Sequence, residues 1–454
     1  MKKQVVMGVL CAIMAVHTAN ADTLEAALAK AYEYNPALKA ARAGKQAVDE
    51  NVALAKSGYR PTLKVNGGYT DTKNNSNAPS PYKPTYGYNR TLAATVSQPI
   101  FSGFKTLNSV KSAKSYAKAS RASLMATEQA VLLEASVAYL DVLQDEAIVK
   151  LQKNNENLLR KELDETRERF KVGEVTTTDV SQAEASYASA QSQRIAAEGN
   201  LEASKAVYKQ IIGTNPQGVS IPKEIEKMFP QSLDAALDYA RKHSYALETA
   251  RQTLNAKKHD VSTSKGDLLP SIDAYAQAGR IKTQNYMLEK NPTNNEVELG
   301  VNFSVPIYNA GTSRAKIRQS KYYHWQAQEN LLNTEDALRA DITSAWEYLS
   351  ANKARINSAK AQVKAYQVAL EGVREEEALG NRTVLDVLNQ YQFLLNSEVE
   401  EVTTRHDYYV SGLTLLQAMG KLTAKDLNLN VKLYDVDANY NETSGKWLST
   451  DIKK

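Results

Sequence analysis

Two hydrophobic periods divide this chain of 454 residues. Val297, Leu299, Val301, Phe303 and Val305 alternate with Glu296, Glu298, Gly300, Asn302 and Ser304. A period of two predicts a strand over 296–305 with one apolar and one wet face. Within 271–281, Ile272, Ala274, Ala276 and Ala278 alternate with Asp273, Tyr275, Gln277 and Gly279. Leu63, Val65, Gly67 and Tyr69 do the same against Thr62, Lys64, Asn66 and Gly68 within 62–71, and Leu92, Ala94 and Val96 against Thr91, Thr95 and Ser97 within 89–98. Strands of about ten residues suit a tilted membrane barrel, although a soluble sandwich would alternate too. The polar stretches 71–88, with Tyr82, Tyr86 and Tyr88, and 284–295 read as loops, their tyrosines suited to a lipid interface.

Elsewhere the apolar spacing is four and three. Leu338, Ile342, Ala345, Leu349, Asn352, Ile356, Ala359, Val363, Tyr366 and Leu370 step this way, as do Leu133, Val137, Leu140, Gln144, Ala147, Leu151, Asn154 and Leu158. This is a heptad seam that needs helical neighbours. Neither 104–170 nor 313–371 contains Pro or Gly, so each predicts a rod of about 90 to 100 Å at about 1.5 Å per residue. Ala, Asn, Gln and Tyr make the seam wetter than a leucine zipper, which fits helices around an aqueous interior and equally a plain bundle.

Both patterns occur twice. Leu24-Glu25-Ala26-Ala27-Leu28 returns as Leu233-Asp234-Ala235-Ala236-Leu237. The order then persists through Ala41-Arg42 with Ala250-Arg251, Pro61 with Pro270, Pro99-Ile100 with Pro306-Ile307, Gly173 with Gly380, Asp179-Val180 with Asp386-Val387, and Gly213 with Gly420. An internal duplication explains this register. The expected organisation is a leader at 1–21, a first repeat at 22–230 with its long helical hairpin at 104–212, a second repeat at 231–420 with its hairpin at 313–420, and an equatorial segment with a tail at 421–454. The last residues of the tail are expected to be partly mobile.

The leader reading rests on Lys2-Lys3, the apolar stretch 5–16 and the small-residue site Ala19-Asn20-Ala21. Leu10 before Cys11, the only cysteine, argues against a lipobox. Net charge is +5, and falls to +3 without Lys2 and Lys3, too small to argue for nucleic acid. His243, His259, His324 and His406 are scattered, and neither a metal-ligand spacing nor a nucleophile triad emerges. No catalytic, cofactor-binding or metal residue is therefore expected.

The ordered set of the repeat, Gln98-Pro99-Ile100-Phe101-Ser102-Gly103, Val305-Pro306-Ile307-Tyr308, and the turns at 172–180 and 379–388 resembles the TolC-like outer-membrane efflux protein family. The resemblance implies an α+β membrane protein: a trimeric 12-strand outer-membrane β-barrel continuous with a long periplasmic α-helical coiled-coil tunnel. It implies partners too: two further copies, outer-membrane lipid, a periplasmic adaptor, and an inner-membrane transporter of RND, ABC or MFS type. The duct would pass drugs or secreted polypeptides. A periplasmic coiled-coil adaptor or scaffold is the alternative, though it lacks a reason for the whole duplicated unit.

In each turn a glycine, Gly173 or Gly380, ends one helix and a threonine, Thr176 or Thr383, caps the next. By resemblance these turns form the periplasmic entrance where the adaptor docks. Asp386 matches a carboxylate of the narrowest ring; one helical turn on, where relatives often carry a second acid, this chain has Asn389. Arg382 matches a closing latch toward Thr178 and Asp179 of the neighbouring hairpin, with ordinary capping as the competing reading. Glu377 stands where some relatives have a gate-stabilising tyrosine, within the run Glu375-Glu376-Glu377 that also reads as a solvated charge cluster.

Overall fold

The computed structural model describes residues 23–74, 85–285 and 292–452. The leader reading at 1–21, Tyr82 and the side chain of Tyr86 lie outside what is described. Each half has two short helices, a strand pair and a long helical hairpin. The first comprises α1 Leu24–Tyr34, α2 Pro36–Ser57, β1 Thr62–Asn74, β2 Thr85–Phe101, α3 Lys105–Lys171 and α4 Thr177–Ile212. A short 3-10 segment, Lys223–Met228, precedes the second: α5 Leu233–His243, α6 Tyr245–Lys265, β3 Ser271–Asn285, β4 Thr293–Ser304, α7 Thr312–Ala378 and α8 Val384–Met419. A last helix, α9, covers Ala438–Thr443. The long helices match in length: 67 residues in α3 and in α7, 36 in α4 and in α8.

Local chemistry sets the breaks. Pro36 begins α2, where its missing N–H costs nothing, and Asn35 Oδ1 accepts from Ala37 N at 2.9 Å. At the matching break Ser244 Oγ accepts from Leu247 N and starts α6. All four strands run beyond the alternating windows read from sequence, into the polar stretches, because ladder bonds continue there despite the loss of apolar alternation.

The chain forms two compact units. One contains residues through Lys39, Thr127–His243 and Arg339–Leu433. Its core at the hairpin ends joins Leu159 and Leu163 of α3, Ala183 and Ala190 of α4, and Val384, Val387, Leu388 and Tyr391 of α8, with Leu370 and Val373 of α7 against them. Ala183, Ala190 and Ala197 recur every heptad on the buried face of α4, so small side chains admit close helix approach. On α7, Ile342, Ala345, Leu349, Asn352, Ala359 and Val363 are buried, and Asn352 donates to Ser411 Oγ at 3.0 Å. The polar seam residue is thus satisfied by α8.

The other unit contains Ala40–Ala126, Ser244–Leu338 and Tyr434–Lys454. It carries one antiparallel sheet in the order β1-β2-β3-β4, so β2 and β3 join the two halves. Gly103 adopts φ +62°, and a Cβ there would lie 2.6 Å from the Gly266 carbonyl oxygen; this close passage between the halves requires glycine. The start of the tail is anchored: Tyr440 packs beside Val52, Ala113 and Ala117, and Arg121 pairs with Asp437 at 2.8 Å. An aromatic anchor and an ion pair hold a segment whose Asn-rich composition reads as loop.

Candidate functional site

The sheet presents one continuous apolar face. Its register sets Val65 opposite Ala94, Ala94 opposite Ala278 and Ala278 opposite Val297, and likewise Leu63, Val96, Ala276 and Leu299. Directly paired residues share a face, so all four alternations are in phase. That face is open: Leu63 is 70 %, Val297 79 % and Leu299 78 % exposed. On the other face Lys64, Thr95, Gln277 and Glu298 align, with Thr95 donating to Gln277 at 3.3 Å and Tyr275 to Glu298 at 2.5 Å. Among the described residues, β1 and β4 each have one unpaired edge, which is untenable in hydrocarbon without closure.

The hairpin ends form the second candidate region. In the first turn the Gly173 N–H donates to the Phe170 carbonyl and Glu174 N–H to Arg169, both at 3.0 Å; in the second, Gly380 donates to Glu377 and Asn381 to Glu376, both at 2.8 Å. These are paired Schellman closures, with Gly173 at φ +79° and Gly380 at φ +77°. No atom lies within 4 Å of a Cβ built at either glycine, so backbone conformation alone selects the residue. Thr176 and Asp179 then form a capping box on α4, and Thr383 and Asp386 form another on α8.

The structure places the sequence-selected residues unevenly. Asp386 Oδ2 accepts from Thr383 N at 2.9 Å and Thr383 Oγ1 at 2.8 Å. The Thr383 backbone N–H, its hydroxyl and the nearby Arg382 charge hold the Asp386 carboxyl below the usual carboxylate range. Asn389 is exposed three residues further along α8, on the same side by helical spacing. Arg382 Nε bonds Glu376 at 2.8 Å within its own turn, and Asp179 Oδ2 accepts from its own cap, Thr176 N, at 2.8 Å. Within one chain Arg382 is thus not brought to Thr178 or Asp179.

Glu377 is not part of a uniform solvated run. Its side chain is only 11 % exposed and pairs with Arg169, which also bonds Glu174 at 3.3 Å. The Arg169–Glu377 pair ties the end of α3 to the end of α7, across the two hairpins. Just behind it lies buried Glu162, whose carboxyl is pushed upward by burial and then by Glu165, with Arg374 acting the other way. Arg169 carries no sequence signal beyond lying in the last turn of α3; only the 208-residue separation closed by folding reveals it.

Higher in the same unit, His406 Nε2 lies 2.9 Å from Asp141 of α3 and Nδ1 3.1 Å from Asp407. Burial pulls this imidazole down, but the two carboxylates outweigh it and the net shift is upward. Both ring nitrogens face acceptors, as an imidazolium requires.

Among the described residues no group of three or more His, Cys, Asp or Glu is arranged to hold a metal ion, and no helix is long and apolar enough to cross a membrane. The duplicated hairpins and the in-phase sheet are matched by a family profile described as Outer membrane efflux protein, over residues 27–214 and 236–421. The chain belongs to the outer membrane efflux protein family. It is 34% identical over 436 residues to Outer membrane efflux protein BepC of Brucella suis biovar 1, covering 96% of this chain and 93% of that one. It is 26% identical to Outer membrane protein TolC of Escherichia coli, covering 87% and 81%. The Campylobacter jejuni CmeC outer membrane channel superposes with a TM-score of 0.78 at 19% identity, covering 93% of this chain and 89% of that chain. Membership in this efflux family places the chain in the outer membrane, with a periplasmic portion.

Proposed function

We propose that three copies of this chain form an outer-membrane exit duct that receives drugs or polypeptides from an inner-membrane transporter through a periplasmic adaptor. The observation that carries the reading is the sheet: four in-phase strands, apolar on one face, with an unsatisfied edge at each side. Three copies of four strands give a closed wall of about twelve, in which every edge finds a partner. Symmetry then repeats the hairpin ends around one axis. Exposed aromatics on α7, Tyr322, Trp325 and Tyr348, support contact with neighbouring copies.

At the entrance we assign the narrowest ring to Asp386, with Asn389 next to it. The cap that pins Asp386 keeps its charge in place, and three such charges favour cations. Arg382, Thr178 and Asp179 form the candidate contact between copies, and the Arg169–Glu377 pair the strut within a copy. The turns carrying Gly173, Thr176, Gly380 and Thr383 are the adaptor's docking points.

Planar-bilayer recording tests this. The purified protein is expected to give small, cation-biased pores, and Asp386→Asn to weaken the bias. The bias should fade as pH falls through the carboxylate range, with the Thr383 cap favouring the charged form and the two neighbouring ring charges opposing it. No pores at all would remove the duct; pores with unchanged selectivity in Asp386→Asn would remove Asp386 from the ring.

A further inference from the structure

The C-terminal tail climbs α2 in order. Gln46 Nε2 donates to the Tyr434 hydroxyl at 3.1 Å, Asn439 Nδ2 to Asp49 at 3.0 Å, Lys56 Nζ to the Ser444 carbonyl at 2.8 Å, and Arg60 to the Lys446 carbonyl at 2.8 Å. Lys45, buried beside Asp49 at 2.6 Å, also donates to the Val436 carbonyl. Four of these contacts involve tail backbone or a buried ion pair, so the track is built rather than incidental. It ends where the sheet begins: Arg60 lies two residues before β1.

What the track delivers there is apolar and unshielded. Trp447 is 64 %, Leu448 95 % and Ile452 80 % exposed, beside Tyr59 at 51 %. The Arg60 guanidinium lies 4.6 Å from the centre of the Trp447 ring. A tryptophan stacked under a cation, with bare aliphatic side chains following it, is poorly suited to water. It suits the boundary between lipid headgroups and acyl chains, where the indole spans both media and arginine reaches phosphate.

We propose that the tail is a strap that docks Trp447 and Leu448 into the headgroup boundary of the periplasmic leaflet, with Arg60 facing lipid phosphate. The inference rests on the barrel reading, since the strap's position at the helical end of the sheet is what brings it to lipid. Continuity with that membrane-facing sheet favours phospholipid over a second copy of the chain as the occupant.

Fluorescence of a full-length W325F/W346F protein, in which Trp447 is the sole indole, tests the strap in phosphatidylcholine–phosphatidylglycerol vesicles. Bromine placed high on the acyl chains should quench its emission about twofold, and bromine placed deep should quench it less. A companion protein, W325F/W346F/W447F/L299W, reports the sheet and should be quenched most by deep bromine. Quenching at position 299 but not at Trp447 overturns the strap alone. Shielding of Trp447 from both bromolipid and aqueous acrylamide overturns it in favour of a protein partner. Absence of quenching in both proteins removes the barrel reading, and the strap with it.

Discussion

Arg169 and Glu377 show how folding joins two groups far apart in sequence into one tie between α3 and α7. The pair is half-buried on the arginine side and nearly buried on the acid side, so its partners are screened less than the exposed Arg382–Glu376 pair. Arg169→Ala and Glu377→Ala are each expected to raise single-channel conductance severalfold, and the exchange Arg169→Glu with Glu377→Arg to restore much of the closed level. Equal conductance in all four proteins would show that the strut bears no load at the entrance. The cap at Thr383 was legible in sequence because Gly380 and Thr383 mark a helix end and the next start within four positions, whereas the closure of a capping box by Asp386 came from the fold. Glu377 was not legible. In the run Glu375-Glu376-Glu377 all three acids look alike, and only helical phase and a partner 208 residues away separate the nearly buried Glu377 from Glu376, which serves Arg382.

At the scale of elements, the turns and the α3–α8 contact respond to different stresses. Gly380→Ala forces an L side chain into a left-handed conformation at a cost of about 1 to 2 kcal/mol, and Thr383→Ala removes a cap worth about 1 kcal/mol. Both should speed amide hydrogen exchange over 379–388 while leaving the middle of α8 protected; uniform acceleration would point to global unfolding instead. The His406 bridge follows pH. Its imidazole is raised in the folded chain, so its contribution is complete below the ordinary histidine value of about 6.5 and disappears as pH climbs through the folded value. The Glu401–Arg405 ion pair, Glu398 and Lys150 line the same recess. Thermal stability is expected to decline from pH 6 to pH 8 more steeply in the parent than in His406→Gln; parallel declines would clear His406. Heptads announced that α3 and α7 needed neighbours, but they did not name α3 as the helix that faces His406 of α8, since any amphipathic partner satisfies the pattern.

For the whole molecule, the sheet is the element most open to challenge. Leu299→Lys puts a charge on the apolar face, where about 2 to 4 kcal/mol opposes insertion near mid-bilayer. Thr95→Lys puts the same charge on the polar face. The first should lower the yield of assembled outer-membrane protein on unheated gels and the second should not; the reverse would invert the assignment of faces. Period-two alternation made this face readable strand by strand, because adjacent residues point to opposite sides. The pairing of β2 with β3 was not readable, since it joins segments from different halves and depends on a register that no single strand contains.

The equal lengths of α3 and α7, and of α4 and α8, constrain how such a chain can change over time. Removing one heptad from a single hairpin would pull its turn back by about 10 Å while its twin stayed put, leaving a ragged rim for any docking partner. Insertions and deletions should therefore be tolerated only as matched sets, entered in all four long helices at once and in multiples that preserve seam phase. Reach across the periplasm is in this sense a quantised trait, and a homologue with a longer duct ought to carry its extra turns in duplicate.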